Sequence, residues 1–191
     1  MLSADALDAA VVRLTARPLG GVAFRLIHAR YAVTALSAIG SLRRGGRYNA
    51  PGTFEALYLA DSPVTALREV EALVQTEAGL LGVKGPPRIL LSVEYALSAV
   101  ADLADPEIQA AIGTDPDELC VPWRPLNARG RPPPTQELGA AIRATRRLEA
   151  VKVPSARDRT AHNLVIFPDR LATDSIVRVH DDSGLIDARL P

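Results

Sequence analysis

Four polar residues have surroundings that invite chemistry: Arg47 on a glycine loop, Tyr58 in an apolar run, Glu69 on an amphipathic segment and Ser155 after a proline. Arg47 stands in Arg43-Arg44-Gly45-Gly46-Arg47-Tyr48-Asn49, where two adjacent glycines let the backbone approach a ligand closely. Its guanidinium is either a forked donor for a phosphate or carboxylate, or a solvated member of a basic turn. Tyr58 either fills a core or offers its ring to a ligand, and its hydroxyl needs a partner in both cases. Ser155, after Val153-Pro154, is a turn residue or a single hydrogen-bonding group at a pocket. No histidine or lysine is placed by sequence to activate it, so it is not assigned as a nucleophile.

The carboxylate has a rival. At roughly 100° per residue, Ala66, Leu67, Val70, Leu73 and Val74 form one apolar stripe of a helix, with Glu69 on one edge and Glu71 on the other. Either would be partly desolvated, and helix geometry leaves both open. The common alternatives lack their motifs: there is no Gly-Lys-Ser/Thr phosphate loop, no Gly-x-Gly-x-x-Gly after a strand and no Gly-x-Ser-x-Gly elbow. His28, His162 and His180 lie far apart and Cys120 stands alone, so no local metal-ligand spacing exists and no metal is expected.

These residues must be positioned by one compact domain, the default for 191 residues that are 48% apolar and 23% charged. Lys plus Arg balance Asp plus Glu at 22 each, removing the positive field that would hold nucleic acid. A single cysteine closes no intrachain disulfide, and the first ten residues carry no basic region, so a reducing, cytoplasmic setting is expected. Arg25, His28 and Arg30 interrupt the richest apolar stretch, Val22 to Ile39, which argues against a membrane span.

The patterning predicts a short helix from Asp5 to Leu14 and a strand through Val22, Phe24 and Leu26 with Arg25 pointing away from them. A buried strand is expected at Ala56 to Ala60, and a helix started by Ser62-Pro63 and running to about Glu77. A strand over 88–98, a short helix from Pro106 ended by Gly113, and a helix over 135–147 follow. Strands at 149–153, 163–167 and 175–180 complete the chain. Six of the fifteen prolines fall between Gly113 and Thr135, which reads as a long surface loop. Strands that do not alternate regularly with helices indicate an α+β domain of mixed sheets with flanking helices over residues 1–191.

Taken in order, Gly45-Gly46-Arg47-Tyr48-Asn49, Ala56-Leu57-Tyr58-Leu59, Ser62-Pro63 and Thr65-Ala66-Leu67-Arg68-Glu69 resemble the RES domain. The resemblance extends through Phe24-Arg25-Leu26, Pro122-Trp123-Arg124, Thr135-Gln136-Glu137-Leu138-Gly139, Val153-Pro154-Ser155 and Asn163-Leu164, covering about Val22 to Pro168. It departs at Tyr48, where the family often has tryptophan, and after Gly139, where Ala-Ala-Ile replaces a common Asp-x-Trp. It implies that Arg47, Glu69 and Ser155 are the eponymous arginine, glutamate and serine, joined by Tyr58, and that Glu69 is chosen over Glu71.

The resemblance further implies a fold related to ADP-ribosyltransferases and a bacterial toxin that consumes NAD. Cleaving the nicotinamide–ribose bond develops positive charge on the sugar, which Glu69 would stabilise. Arg47, with Arg25 as a second candidate, would grip the diphosphate, and Tyr48, Tyr58 and Ser155 would line the pocket. NAD is then a substrate and not a resident cofactor, with water, inorganic phosphate or a protein side chain as acceptor. A cognate Xre-type helix-turn-helix antitoxin is the implied partner. A non-catalytic nucleotide-binding module is the contrasting expectation.

Overall fold

A computed structural model describes residues 1–190 of the chain. The N-terminal helix α1 (Ala4–Val11) lays Leu7 and Val11 into a core. Strand β1 (Arg17–His28) leads through a 3-10 turn, Ala29–Thr34, to helix α2 (Ile39–Arg44), strand β2 (Leu57–Ala60) and helix α3 (Pro63–Glu69). A separate hairpin of β3 (Leu73–Thr76) and β4 (Gly79–Gly82) precedes the long strand β5 (Arg88–Asp102). Helices α4 (Pro106–Ala111), α5 (Pro116–Leu119), α6 (Trp123–Ala128) and α7 (Pro134–Ala144) come next. Strands β6 (Ala150–Pro154), β7 (His162–Ile166), β8 (Ile176–His180) and β9 (Arg189–Leu190) finish the fold.

The main sheet runs β1-β2-β7-β6-β5-β8-β9, and β1 also pairs with β5 from Arg17↔Val100 to His28↔Arg88. That second pairing closes β1, β2, β7, β6 and β5 into a ring, from which β8 and β9 branch. Strand β5 serves both parts, since its residues 92–96 pair with β8 and its residues 100–102 run parallel to β6. Side-chain alternation then builds two cores from the same strands. Leu57, Leu59, Leu164 and Ile166 join Ala23, Ile27, Leu91 and Val93 in the cluster shared by all five ring strands. Their sequence neighbours Tyr58, Val165 and Phe167 face the other way, against Leu7, Val11, Leu119, Leu138 and Ile142 of α1, α5 and α7.

The α+β class holds, and three local expectations are corrected. Helix α3 stops at Glu69 and not near Glu77, because Glu71 adopts φ 57° and reverses the chain. The Glu71 N–H then bonds the Arg68 carbonyl and the Ala72 N–H bonds the Leu67 carbonyl, the usual left-handed helix closure, here without the usual glycine. Leu73 and Val74 therefore pair in the hairpin with Gly82 and Leu81, and the helical stripe that included them does not exist.

The proline-rich stretch is not a long loop but holds α5, α6 and the approach to α7. Its prolines sit at helix starts: Pro116 follows Asp115, whose side chain accepts from the Glu118 N–H, Pro122 precedes α6, and Pro134 opens α7. The third correction concerns β1, where Ala23 and Ile27 are buried and Val22 is 51% exposed. Arg25 thus shares the core-facing side that the sequence pattern gave to Val22, Phe24 and Leu26.

Candidate functional site

The arginine loop connects α2 to β2 and is clamped from both sides. The Tyr58 hydroxyl, on β2, donates to Asn49 Oδ1 at 2.8 Å and accepts from the Tyr48 N–H at 3.0 Å. Asn49 is fully buried and donates from Nδ2 to the carbonyls of Ser41 (2.9 Å) and Phe54 (3.0 Å). From α7, Gln136 Nε2 donates to the Gly46 carbonyl at 2.8 Å. These contacts are close enough that a Cβ on Gly46 would overlap the Tyr58 hydroxyl and Asn49 Oδ1, and one on Gly139 would overlap the Tyr48 carbonyl. The glycines are there to let the loop sink against β2 and α7.

The clamped loop projects Arg47 toward the α5–α6 connection, where Nη1 donates to the Val121 carbonyl at 2.7 Å and the Leu119 carbonyl at 3.5 Å. Its Nε and Nη2 donate to no described residue. Tyr48 instead turns into the core, wholly buried, with its hydroxyl unpartnered. Burial raises the phenol pKa of Tyr48, and Arg47 pulls it partway back. Burial likewise raises that of Tyr58, against the Tyr48 N–H and Arg47.

Glu69 is the last residue of α3, a helix begun by Ser62, whose side chain accepts from the Thr65 N–H at 3.1 Å, and by Pro63. Its Oε1 accepts two hydrogen bonds, from Ser155 Oγ at 2.7 Å and from Asn163 Nδ2 at 2.6 Å. Its Oε2 accepts none from the described residues. Ser155, just past β6, is fully buried, and its Oγ also accepts from the N–H groups of Arg157 (3.1 Å) and Asp158 (3.3 Å). That hydroxyl has one donor and two acceptor lone pairs, so its capacity is spent on the protein. On either side of Glu69, Arg68 pairs with Asp158 and Glu71 pairs with Arg157, joining the end of α3 to the segment after Ser155.

Cys120 connects the two halves. Its thiol donates to the Ser155 carbonyl at 3.6 Å, while Arg47 holds the carbonyls on either side of it. Burial pushes the thiol pKa up; Arg47 and Arg159 lower it, and Glu69 and Asp117 raise it. Arg47 and the Ser155 carbonyl therefore hold this one segment from two sides.

Tyr58 is thus bonded to the loop that carries Arg47 and Ser155 to Glu69, the two pairs being linked through the Cys120 segment, and two expected substrate contacts take no part. Arg25 donates from Nη1 to the Ala35 carbonyl (2.7 Å) and from Nη2 to the Ser37 carbonyl (3.0 Å). Burial lowers its pKa to about 10. It holds the segment after β1 in place and has no η-nitrogen pointed at the site. Tyr48 is the second, because none of its surface is open to a ligand. Sequence reasoning missed Asn163, Asn49, Gln136 and Cys120. Asn163 stood within the resemblance without a role, and a polar amide opening the apolar run Leu164 to Phe167 was the local signal for it.

Two cavities, of about 260 and 300 Å3, open elsewhere: one beside Arg17, Asp102, Asp105 and Lys152, the other beside Gly20, Ser98 and Ser175. Arg47 and Glu69 line neither. Among the described residues no group of three His, Cys, Asp or Glu side chains is arranged to hold a metal ion, and no helix is long and apolar enough to cross a membrane.

The order of these segments along the chain defines a class: the RES domain family model matches residues 22–185, and the chain belongs to that family. Among curated proteins it is similar to the NAD(+) phosphorylase MbcT of Mycobacterium tuberculosis and of Mycobacterium bovis, 37% identical over 92 residues. That match spans 44% of this chain and 46% of the relative, so it reaches about half the length of either. Among solved structures, the crystal structure of the M. tuberculosis MbcT-MbcA toxin-antitoxin complex contains a similar fold. The TM-score is 0.63 at 20% identity, over 93% of this chain and 90% of that one.

Proposed function

We propose that the protein is a toxin that consumes NAD by breaking the nicotinamide–ribose bond, with inorganic phosphate as the acceptor. The observation that carries this reading is the half-engaged carboxylate of Glu69, anchored through Oε1 and open at Oε2; its partner Ser155 meets the Cys120 segment, whose flanking carbonyls accept from Arg47. Family membership and the activity named for the MbcT relatives support it.

Arg47 Nε and Nη2 would grip the diphosphate and set the sugar against Glu69. As the C1′–N bond breaks, its electron pair leaves with nicotinamide, which departs neutral because its ring was already cationic. No general acid is required. Positive charge grows on the ribose, and Glu69 Oε2, held in place beforehand, stabilises it. A phosphate oxygen then bonds to that same anomeric carbon, C1″ in the ADP-ribose numbering, giving ADP-ribose 1″-phosphate. Ser155, buried and saturated, acts by holding Glu69. In this reading the fold over residues 1–191 is one domain related to the ADP-ribosyltransferases. The protein works in the cytoplasm, where NAD is available, and a cognate Xre-type antitoxin restrains it.

The test is to incubate purified protein with NAD, with and without phosphate, and identify every product. ADP-ribosyl phosphate formed only when phosphate is present is the expected result. Free ADP-ribose regardless of phosphate makes the protein a glycohydrolase, and label on a protein makes it an ADP-ribosyltransferase. Unchanged NAD under all conditions overturns the reading.

A further inference from the structure

Glu69 sits among cations yet touches none of them. Arg68 precedes it in sequence and Arg157 lies two residues beyond its partner Ser155, but the first pairs with Asp158 and the second with Glu71. What reaches the Glu69 carboxylate is a hydroxyl and a carboxamide, both neutral and both on Oε1. A guanidinium there would have fixed the side chain just as well and cancelled its charge. Neutral donors fix it and leave the full negative charge for a cation that forms only during the reaction.

We propose that Asn163 is a positioning residue for the proposed cleavage: its carboxamide fixes Oε1 of Glu69 so that Oε2 alone, still fully charged, meets the sugar. This rests on the reading of Glu69 given above. The placement of Asn163 suits the task. In the middle of the β2-β7-β6 strip its backbone pairs with Ala60 on one side and Val153 on the other. Strand alternation puts its side chain on the face shared by Val165 and Phe167, the face that also carries Tyr58. Both backbone neighbours being fixed, the amide has little freedom to move, and the 2.6 Å bond it donates spans 94 residues of sequence. Ser155 approaches the same oxygen from the end of β6, so the carboxylate is held from two strands while the α3 main chain holds its stem.

The experiment is a double-mutant cycle on steady-state NAD consumption, with Asn163→Leu, Glu69→Gln and the pair, each checked for an unchanged melting temperature. Asn163→Leu is expected to lower kcat by about tenfold or more, as for loss of a hydrogen bond to a charged group, with KM for NAD changed less than twofold. Added to Glu69→Gln, it is expected to cost less than twofold, because no charge is left to aim. An equal loss in both backgrounds, or a loss carried by KM, overturns the proposal by making Asn163 an independent structural or substrate contact. Should Asn163→Leu fail to fold, Asn163→Ser, which keeps a polar group but withdraws it from reach, takes its place in the cycle, and the same results support or overturn the proposal. Wild-type protein that leaves NAD intact refutes the parent reading instead, so the two failures are distinguishable.

Discussion

Strand β6 has a hydrogen-bonded carboxylate anchored near each end, Glu149 buried and Glu69 half-buried, and the two are treated in opposite ways. Before its first residue, Glu149 is 4% exposed and satisfied on both oxygens. Oε1 accepts from Ser98 Oγ, the Ala172 N–H and Ser175 Oγ, and Oε2 accepts from the Ser98 N–H and Ser175 Oγ, all at 2.9 to 3.0 Å. Past its last residue, Ser155 holds Glu69, which has one oxygen engaged and one open. The first carboxylate ties β5 and the segment before β8 to β6 and has nothing left to offer. The second is anchored through one oxygen only. The difference separates scaffold from site: the carboxylate with both oxygens engaged holds the fold, and the half-buried one with an oxygen open can meet a ligand.

The largest effect expected on the site side is at Arg47. Arg47→Ala should lower NAD turnover by on the order of a hundredfold, comparable to losing one preorganised donor, while the clamp of Tyr58, Asn49 and Gln136 keeps the loop folded. Steady-state turnover and a melting curve measured together check both halves of that statement.

On the scaffold side, Glu149→Gln should cost about 1–3 kcal/mol of unfolding free energy, since one buried N–H or hydroxyl loses a charged acceptor, and should leave turnover per folded molecule unchanged. Denaturant titration reads the first and turnover the second. Burial by itself would raise the Glu149 pKa, and the bonds from Ala172, Ser98 and Ser175 outweigh it, so the folded value lies below the ordinary 4.5. The unfolded chain therefore binds the proton first as pH falls. The Glu149 contribution is complete above about 4.5 and is lost as pH drops through the lower folded value. Glu149→Gln should flatten that acid limb.

A smaller effect of opposite sign is expected at Tyr48, whose hydroxyl is buried without a partner. Tyr48→Phe removes a desolvated group that gains nothing, so it should stabilise the protein by about 1 kcal/mol or leave it unchanged, with turnover intact. A marked loss of stability would mean that the hydroxyl is satisfied after all.

Much of this was legible in the sequence where the rules are local. Ser62-Pro63 announced α3, a short apolar run announced β2, alternation announced β5, and two glycines marked the loop that carries Arg47. Where local patterns are symmetric, the sequence was silent or misleading. In β1 both faces read as apolar, and only the segment covering Ala23 and Ile27 decided that Arg25 lies inward, on the carbonyls of Ala35 and Ser37. The end of α3 carried no glycine to mark it, because a glutamate takes the left-handed position. Prolines read as loop formers turned out to be helix openers. For Asn163 the local signal, an amide opening an apolar run, names no partner, since Glu69 is 94 residues away and the two are brought together by the β2-β7-β6 strip.

The most direct test of the half-engaged carboxylate is NAD consumption by Glu69→Gln, Glu71→Gln and Glu149→Gln assayed side by side at equal folded concentration. Glu69→Gln is predicted to lose on the order of a hundredfold. Glu71→Gln, which gives up one exposed ion pair with Arg157, and Glu149→Gln should both stay near wild type. Full activity in Glu69→Gln, or its loss in Glu71→Gln instead, would contradict the account.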